Sequence, residues 1–497
     1  MTSQPLPELR VFNTMDQAKV PLRPITPGKL GIYVCGPTVY NFIHIGNART
    51  FTSFDTIVRY LRFRGLEVRY VRNYTDVDDK IIKAAKETRE DPIALAARFV
   101  REFEADMAQL RLLPPDVSPK VSETIPEIIA IIEKLISRGV AYESKGDVYF
   151  EVRKYPGYLK LSKRKLDDLM SGAGEREIVN EEQKRDPADF ALWKAAKPGE
   201  PSWPSPWGAG RPGWHIECSA MSSKYLGETF DLHGGGLDLI FPHHETEIAQ
   251  SEGASGKTLC NCWLHGGFLD LDGAKMSKSL GNVVRARDAL QKVDAEGLRY
   301  FFMSVHYRSA LDFNDKSIGD AEARVEYFYE TLKKVDERVA GKDFGEGPLH
   351  GEPQKYLAQF HEEMSNDFNF PGALAVLSGL FTELNALMDK PPKDKQLAGR
   401  TMVAYREIAR KISSALGLME VDPATWLLAR RDRQVIAKGI DRAKVEELIK
   451  ERDRVRATKL PEGYAAGDRI RAELKAMGVE TMDTPAGTTW KVTSSSG

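Results

Sequence analysis

The chain has 497 residues, with 71 Lys and Arg balanced by 72 Asp and Glu and with 42% hydrophobic residues. That apolar content excludes a disordered chain and suits large buried cores, and the length suggests about three domains. A net charge of -1 excludes a nucleic-acid binder that is basic over its whole surface, but it permits one basic face. In chain order, the first clear element is the apolar run Gly31 to Val34, read as a strand that enters the loop Cys35-Gly36-Pro37-Thr38. His44-Ile45-Gly46-Asn47 follows, and then Phe51, Phe54, Val58 and Leu61 recur at helical spacing. Val68 to Val71 reads as the next strand and Asp76 to Lys86 as a second helix. Strand, helix and strand in that order imply a βαβ unit in a parallel sheet.

Helical patterns continue over Pro92 to Leu112 and again from Thr124, where Thr124 and Glu127 have capping-box spacing. Between Ala141 and Val152 the period falls to two, which predicts a strand or hairpin. The region from Leu110 to Pro212 reads as an insertion, ending in a Pro-, Gly- and Trp-rich loop over Pro198 to Pro212. The βα pattern resumes at Trp214 and runs to Asn282. Beyond Ala286 the chain is nearly all helical, and the Thr- and Ser-rich tail from Gly487 is expected to fray. The expected domains are 1–110 (first half of a Rossmann-like α/β domain), 111–212 (connective insertion), 213–315 (second half), 316–425 (helical bundle) and 426–497 (a small C-terminal region). No run of about 18 apolar residues that could span a bilayer is found, and Met1 to Arg10 lacks a stretch of signal-peptide type. Four cysteines, Cys35, Cys218, Cys260 and Cys262, make no disulfide framework and suit the reduced thiols of the cytoplasm.

Three groups of residues carry chemistry. His44, Gly46 and Asn47 lie where a strand gives way to a helix, so backbone N–H groups and the helix dipole can meet phosphate oxygens. Alone, this string also suits an ordinary helix-entry loop. Lys275-Met276-Ser277-Lys278-Ser279 is a cationic loop suited to a triphosphate, although a solvated surface loop could have the same composition. The third group is Cys35, Cys218, His243 and Glu247: two thiols, an imidazole and a carboxylate are a donor set for Zn²⁺. His243 and Glu247 share a helix face by their spacing. The spacing alone also admits Cys35 and Cys218 as small core residues. Cys260 and Cys262, expected on opposite sides of a strand, are read as structural.

Taken together, the two nucleotide strings resemble the HIGH and KMSKS signatures of class I aminoacyl-tRNA synthetases, with Asn47 in place of the second His. The wider set of segments, Tyr33 to Arg49, Asn73 to Lys83, Gly213 to Met221, His233 to Gln250 and Lys275 to Asn282, resembles the cysteinyl-tRNA synthetase family. A weaker match covers Gly467 to Trp490. The resemblance implies ATP-dependent ligation of L-cysteine to tRNA(Cys) through a cysteinyl-adenylate. It implies one Zn²⁺ on Cys35, Cys218, His243 and Glu247, binding the substrate thiolate, and Mg²⁺ arriving with ATP. His44, Asn47, Lys275 and Lys278 are then the expected catalytic groups. Gly46, Gly236 and Asp238 join His44, Asn47 and Lys278 around ATP, while Gly36, Thr38, Thr75 and Trp214 contact the substrate cysteine. Cysteine and serine are near-isosteres that a shaped pocket separates poorly; a metal that prefers thiolate would do so without an editing domain. Relatives that join cysteine to an amino sugar, and non-catalytic RNA-binding paralogues, are the competing readings. The intact motifs and the basic stretch Arg430 to Ala476, with 14 Lys and Arg against 9 Asp and Glu, favour tRNA. A monomer is expected, with no membrane association.

Overall fold

The computed structural model describes residues 5–166, 181–271, 274–275, 283–484 and 487–493. It divides into two compact units, one made of Met1–Ala323 with Asp343–Leu418 and the other of Arg324–Lys342 with Met419–Gly497.

At the centre of the first unit is a parallel sheet of four strands in the order Cys260–Gly266, Phe230–Gly236, Lys29–Val34 and Glu67–Arg72. Strands buried on both faces are near-continuously apolar, as Ile32, Tyr33 and Val34, each fully buried, show. The helix Ile45–Phe63 connects Lys29–Val34 to Glu67–Arg72. It packs Ala48 and Phe51 against the helix Pro92–Gln109 in one core. Tyr33, Val71 and Trp263 belong to a second core, together with residues of the helices Ile125–Ser137, Ile216–Leu226 and Glu245–Ser255. The chain leaves Lys29–Val34 toward one neighbour and returns through Phe230–Gly236 to the other side of it. Their carboxyl ends therefore flank a switch point, where open α/β sheets bind ligands.

Residues 141–212 add an antiparallel sheet of Ala141–Ser144, Asp147–Phe150, Phe190–Ala195 and Gly210–Pro212, so the stretch read as loop ends in a short strand. The expected capping box at Thr124 does not form. Its hydroxyl donates instead to the carbonyl of Lys120, at 2.7 Å. The helices Gln354–Ser365, Phe370–Asp389 and Lys395–Leu416 pack in sequence. Phe370–Asp389 is the one helix among the described residues that is long and apolar enough to cross a membrane by composition. Here Leu374, Leu377, Leu380, Phe381 and Leu384 are all buried, as in the core helix of a bundle.

In the second unit, the helices Pro423–Ala437, Arg442–Arg456 and Pro461–Ala476 precede a hairpin of Val479–Thr484 and Gly487–Val492. Val445, Leu474, Val479, Trp490 and Val492 form its core. The stretch expected to fray from Gly487 is thus a paired strand through Val492, because Trp490 and Val492 alternate into that core.

Candidate active site

The loop after Lys29–Val34 is built against the loop after Glu67–Arg72. Thr38 and Thr75 form a parallel bridge, with Val39 N donating to Thr75 O at 3.1 Å and Thr75 N to Pro37 O at 3.2 Å. Gly36 makes this possible. Its N–H donates to Asn73 Oδ1 at 2.8 Å, and a Cβ on it would lie 1.7 Å from the Asn73 carbonyl oxygen. Thr75 Oγ1 in turn donates to Glu217 Oε2 at 3.2 Å. Glu217 is fully buried, and its other oxygen has no partner among the described residues. Burial, followed by the nearby Asp78 and Cys218, pushes the Glu217 carboxyl well above its ordinary range.

Beside this loop four donors converge. Cys35 follows the strand Lys29–Val34, Cys218 lies in Ile216–Leu226, His243 lies in the short helical segment Ile240–His244, and Glu247 lies in the first turn of Glu245–Ser255, which follows directly. Their ligand atoms all lie within 4.8 Å of one another. Cys35 Sγ is 3.8 Å from Cys218 Sγ and 3.4 Å from Glu247 Oε1, while His243 Nε2 is 2.9 Å from that same oxygen. All four are buried. Burial opposes ionisation of the Cys218 thiol, but its hydrogen bond to Cys35 and the neighbouring His243 bring it down to about 6. Burial likewise disfavours a charged His243, yet Glu247 and Cys218 raise it to about 10. Two thiols, an imidazole and a carboxylate so placed are the donor types of a buried zinc centre, and a metal bound there would displace the proton that Glu247 and Cys218 favour on His243.

Around these donors lies a shell of histidines that sequence reasoning missed. His215 Nδ1 and His243 Nδ1 are 2.9 Å apart, and His233 Nε2 holds Glu247 Oε2 at 2.8 Å. His244 Nε2 meets Cys35 Sγ at 3.4 Å, its Nδ1 meets His265 Nε2 at 2.8 Å, and His265 Nδ1 meets Thr14 Oγ1 at 2.7 Å. A second donor combination, Cys35, His233, His244 and Glu247, is equally close-set. Burial with His233 nearby holds His265 down to about 3, so it is a neutral ring. One signal was available: five of the chain's nine histidines fall between His215 and His265. Trp214 stacks on His243 with ring centroids 4.6 Å apart, and Lys80 Nζ lies 5.5 Å from the Trp214 centroid. Cys260 and Cys262 are both buried on either side of the exposed Asn261, and residues two apart on a strand share a face, contrary to the expectation above. Neither joins a donor cluster among the described residues.

His44 and Asn47 cap the helix Ile45–Phe63 reciprocally. Asn47 N donates to His44 Nδ1 at 3.3 Å and His44 N to Asn47 Oδ1 at 3.4 Å. The string thus serves as a helix entry, at a helix N-terminus of the kind that can receive an anion. Gly46 is half-buried in the first turn. Gly236 ends its strand, with Asp238 exposed two residues on. Ala274–Lys275 pairs antiparallel with Leu269–Leu271, placing the Lys275 backbone opposite Asp270. Lys278 lies outside the described residues.

The four-stranded parallel sheet lies within residues that match a class I aminoacyl-tRNA synthetase catalytic domain. Residues 21–323 match the family described as tRNA synthetases class I (C) catalytic domain, and residues 359–420 match a DALR domain. A methionyl-tRNA synthetase from Mycobacterium tuberculosis, solved with methionyl-adenylate, shares the fold with a TM-score of 0.61 at 16% identity, covering 80% of this chain and 92% of that one. Cysteine–tRNA ligases from an Anaeromyxobacter species and from Syntrophotalea carbinolica are 51% and 48% identical, each alignment covering 97% of this chain and 99% of the relative. The chain belongs to the cysteine–tRNA ligase family.

Proposed function

We propose that the chain ligates L-cysteine to tRNA(Cys) in two steps, in the cytoplasm, using ATP. The observation that carries this reading is the buried convergence of Cys35, Cys218, His243 and Glu247 beside the loop of Gly36, Thr38 and Thr75. The full-length likeness to cysteine–tRNA ligases supports it. In the first step the cysteine carboxylate attacks the α-phosphorus of ATP, the bond to the β-phosphate breaks, and pyrophosphate leaves. In the second, a hydroxyl of the terminal adenosine of the tRNA takes the cysteinyl group and AMP leaves.

The donor set fits zinc by its chemistry, two thiols with one imidazole and one carboxylate, all desolvated. When bound, zinc supplies a borderline-soft acceptor that favours a thiolate over the hydroxyl of serine. The chain's own residues do the rest. His215 and His233 hold His243 and Glu247 from behind, fixing ring and carboxylate orientation. Thr38, Thr75 and Trp214 bound the amino-acid end, where Gly36 lets the backbone come close. His44, Gly46 and Asn47 offer a helix N-terminus to the phosphates, and Gly236 and Asp238 bound the nucleoside side. Because the cap uses His44 Nδ1, a phosphate contact has to come from Nε2. Lys275 and Lys278 neutralise charge as pyrophosphate departs, with a Mg²⁺ carried by ATP.

Two measurements test this. Purified protein given labelled cysteine and ATP should charge a tRNA(Cys) transcript and leave glucosamine unmodified; transfer to the amino sugar instead would contradict the reading. Lys278→Ala should slow single-turnover adenylation by more than about tenfold. A rate within about twofold of the parent would remove Lys278 from the transition state.

A further inference from the structure

Arg49 lies two residues beyond Asn47 on the same helix and is 1% exposed. Among the described residues no carboxylate lies within ion-pair distance of its guanidinium. It donates instead to backbone carbonyls. Nη1 meets Gly267 O at 3.2 Å and, more closely, Phe268 O, while Nη2 meets Ser309 O at 2.6 Å and His306 O at 3.4 Å. Burying a cation away from carboxylates is costly, and burial brings the Arg49 pKa down to about 10 against the opposing pull of Asp270. A planar fork that collects four carbonyls from two segments is a geometry that lysine cannot copy.

The two segments are the entries to one small sheet. Gly267 and Phe268 lead into Leu269–Leu271, while His306 to Ser309 lead toward Leu311–Phe313, which pairs parallel to it. Gly267 lies against the second segment: its N–H donates to Tyr307 O at 2.7 Å, and a Cβ would lie 2.3 Å from Ser309 O. The third strand of this sheet is Ala274–Lys275. Where the description resumes at residue 283, the chain is bonded to the same helix start, with Ile45 N donating to Val284 O at 2.9 Å and Ala286 N to Ile43 O at 3.0 Å. Backbone before Lys275 and backbone after residue 282 are thus both fastened to the turn that carries His44 and Asn47.

We propose that Arg49 is a positioning residue for adenylate formation, holding the Lys275 strand at a fixed distance from the helix N-terminus that receives the phosphates. This rests on the reading of His44, Asn47 and Lys275 as nucleotide-binding groups. Misplacing a charge-stabilising group by about 1 Å costs on the order of a hundredfold in rate. Bonds to cysteine and to the metal do not pass through Arg49.

The test is Arg49→Lys in the full chain, assayed by single-turnover adenylation with active-site titration. The expected result is a rate lowered by about tenfold or more, with unchanged burst amplitude, unchanged cysteine affinity and an unchanged visible spectrum of the cobalt-loaded protein. A purely structural arginine would lower the amplitude and leave the rate of the folded fraction alone, and that outcome overturns the proposal. So does a rate within about twofold of the parent. If Arg49→Lys does not fold, Gly267→Ala carries the same test, since its Cβ displaces the same stem while Arg49 stays; a parental rate there overturns the proposal. Absence of cysteine-dependent pyrophosphate exchange in the parent protein would instead overturn the functional reading beneath it.

Discussion

Gly36 decides how closely the amino-acid end of the site can be drawn together. A Cβ at this position would lie 1.7 Å from one backbone oxygen and 2.8 Å from the carbon it belongs to, both in Asn73. Neither atom can swing away as a side chain would, so Gly36→Ala must part the two loops that set Thr38 beside Thr75. The expected outcome is a fall in kcat/KM for cysteine of about a hundredfold in pyrophosphate exchange. The KM for ATP should change little, because the turn proposed to face the phosphates starts at His44. An unchanged cysteine KM in a folded variant would show that the loops do not shape the amino-acid site. At this scale, too, lies what sequence could not reach. The four donors sit on three segments up to 212 residues apart, between Cys35 and Glu247. Only the strand order brings them together. The outer histidines were hidden for a related reason: His233 and His265 look like ordinary inward positions of buried strands until Gly235 is found opposite His265.

Elements with strong periodicity were legible. The βαβ start and the helices Pro92–Gln109 and Ile125–Ser137 follow from apolar spacing, because helix and strand periods differ enough to be read without tertiary context. The C-terminal hairpin was not. Gly487, Thr488 and Thr489 make up half of its second strand, and a Gly and Thr string of that kind reads locally as a turn. Long-range contacts override that preference. Arg452, 1% exposed in its side chain, bonds Asp483 and Thr488, and Asp453 accepts from Thr488 N at 3.1 Å, so both strands are fastened to the helix Arg442–Arg456. Trp490→Ala should therefore destabilise the second unit by about 3–5 kcal/mol. Differential scanning calorimetry should show a transition moved to lower temperature, while cysteine-dependent pyrophosphate exchange, a property of the other unit, persists. A second unit with parental stability would mean that the hairpin adds nothing to the core.

For the whole molecule, near-neutrality hides an uneven charge distribution. Residues 430–476 carry an excess of five positive charges, so the remainder is net negative. Many of these cations are engaged within the unit, as in Arg442 with Glu446, Lys444 with Glu447 and Arg454 with Glu451. Exposed pairs of this kind are worth little, so their cations remain available to phosphates, whereas buried Arg452 is committed to the hairpin. If tRNA is held partly through this stretch, its apparent affinity should fall steeply as KCl rises, as counterion release requires. The KM for cysteine, bound within the first unit, should not follow. A tRNA KM insensitive to salt would contradict a phosphate-contacting role for these residues.

Selection of cysteine depends on the buried Cys35, Cys218, His243 and Glu247 cluster being a metal centre. The most direct measurement combines elemental analysis of the purified protein with pyrophosphate exchange on cysteine and on serine, before and after chelation. The expected result is one zinc per chain, exchange with cysteine only, and loss of that exchange on chelation with recovery on adding zinc. A protein free of metal that still activates cysteine, or one that activates serine efficiently, would contradict it.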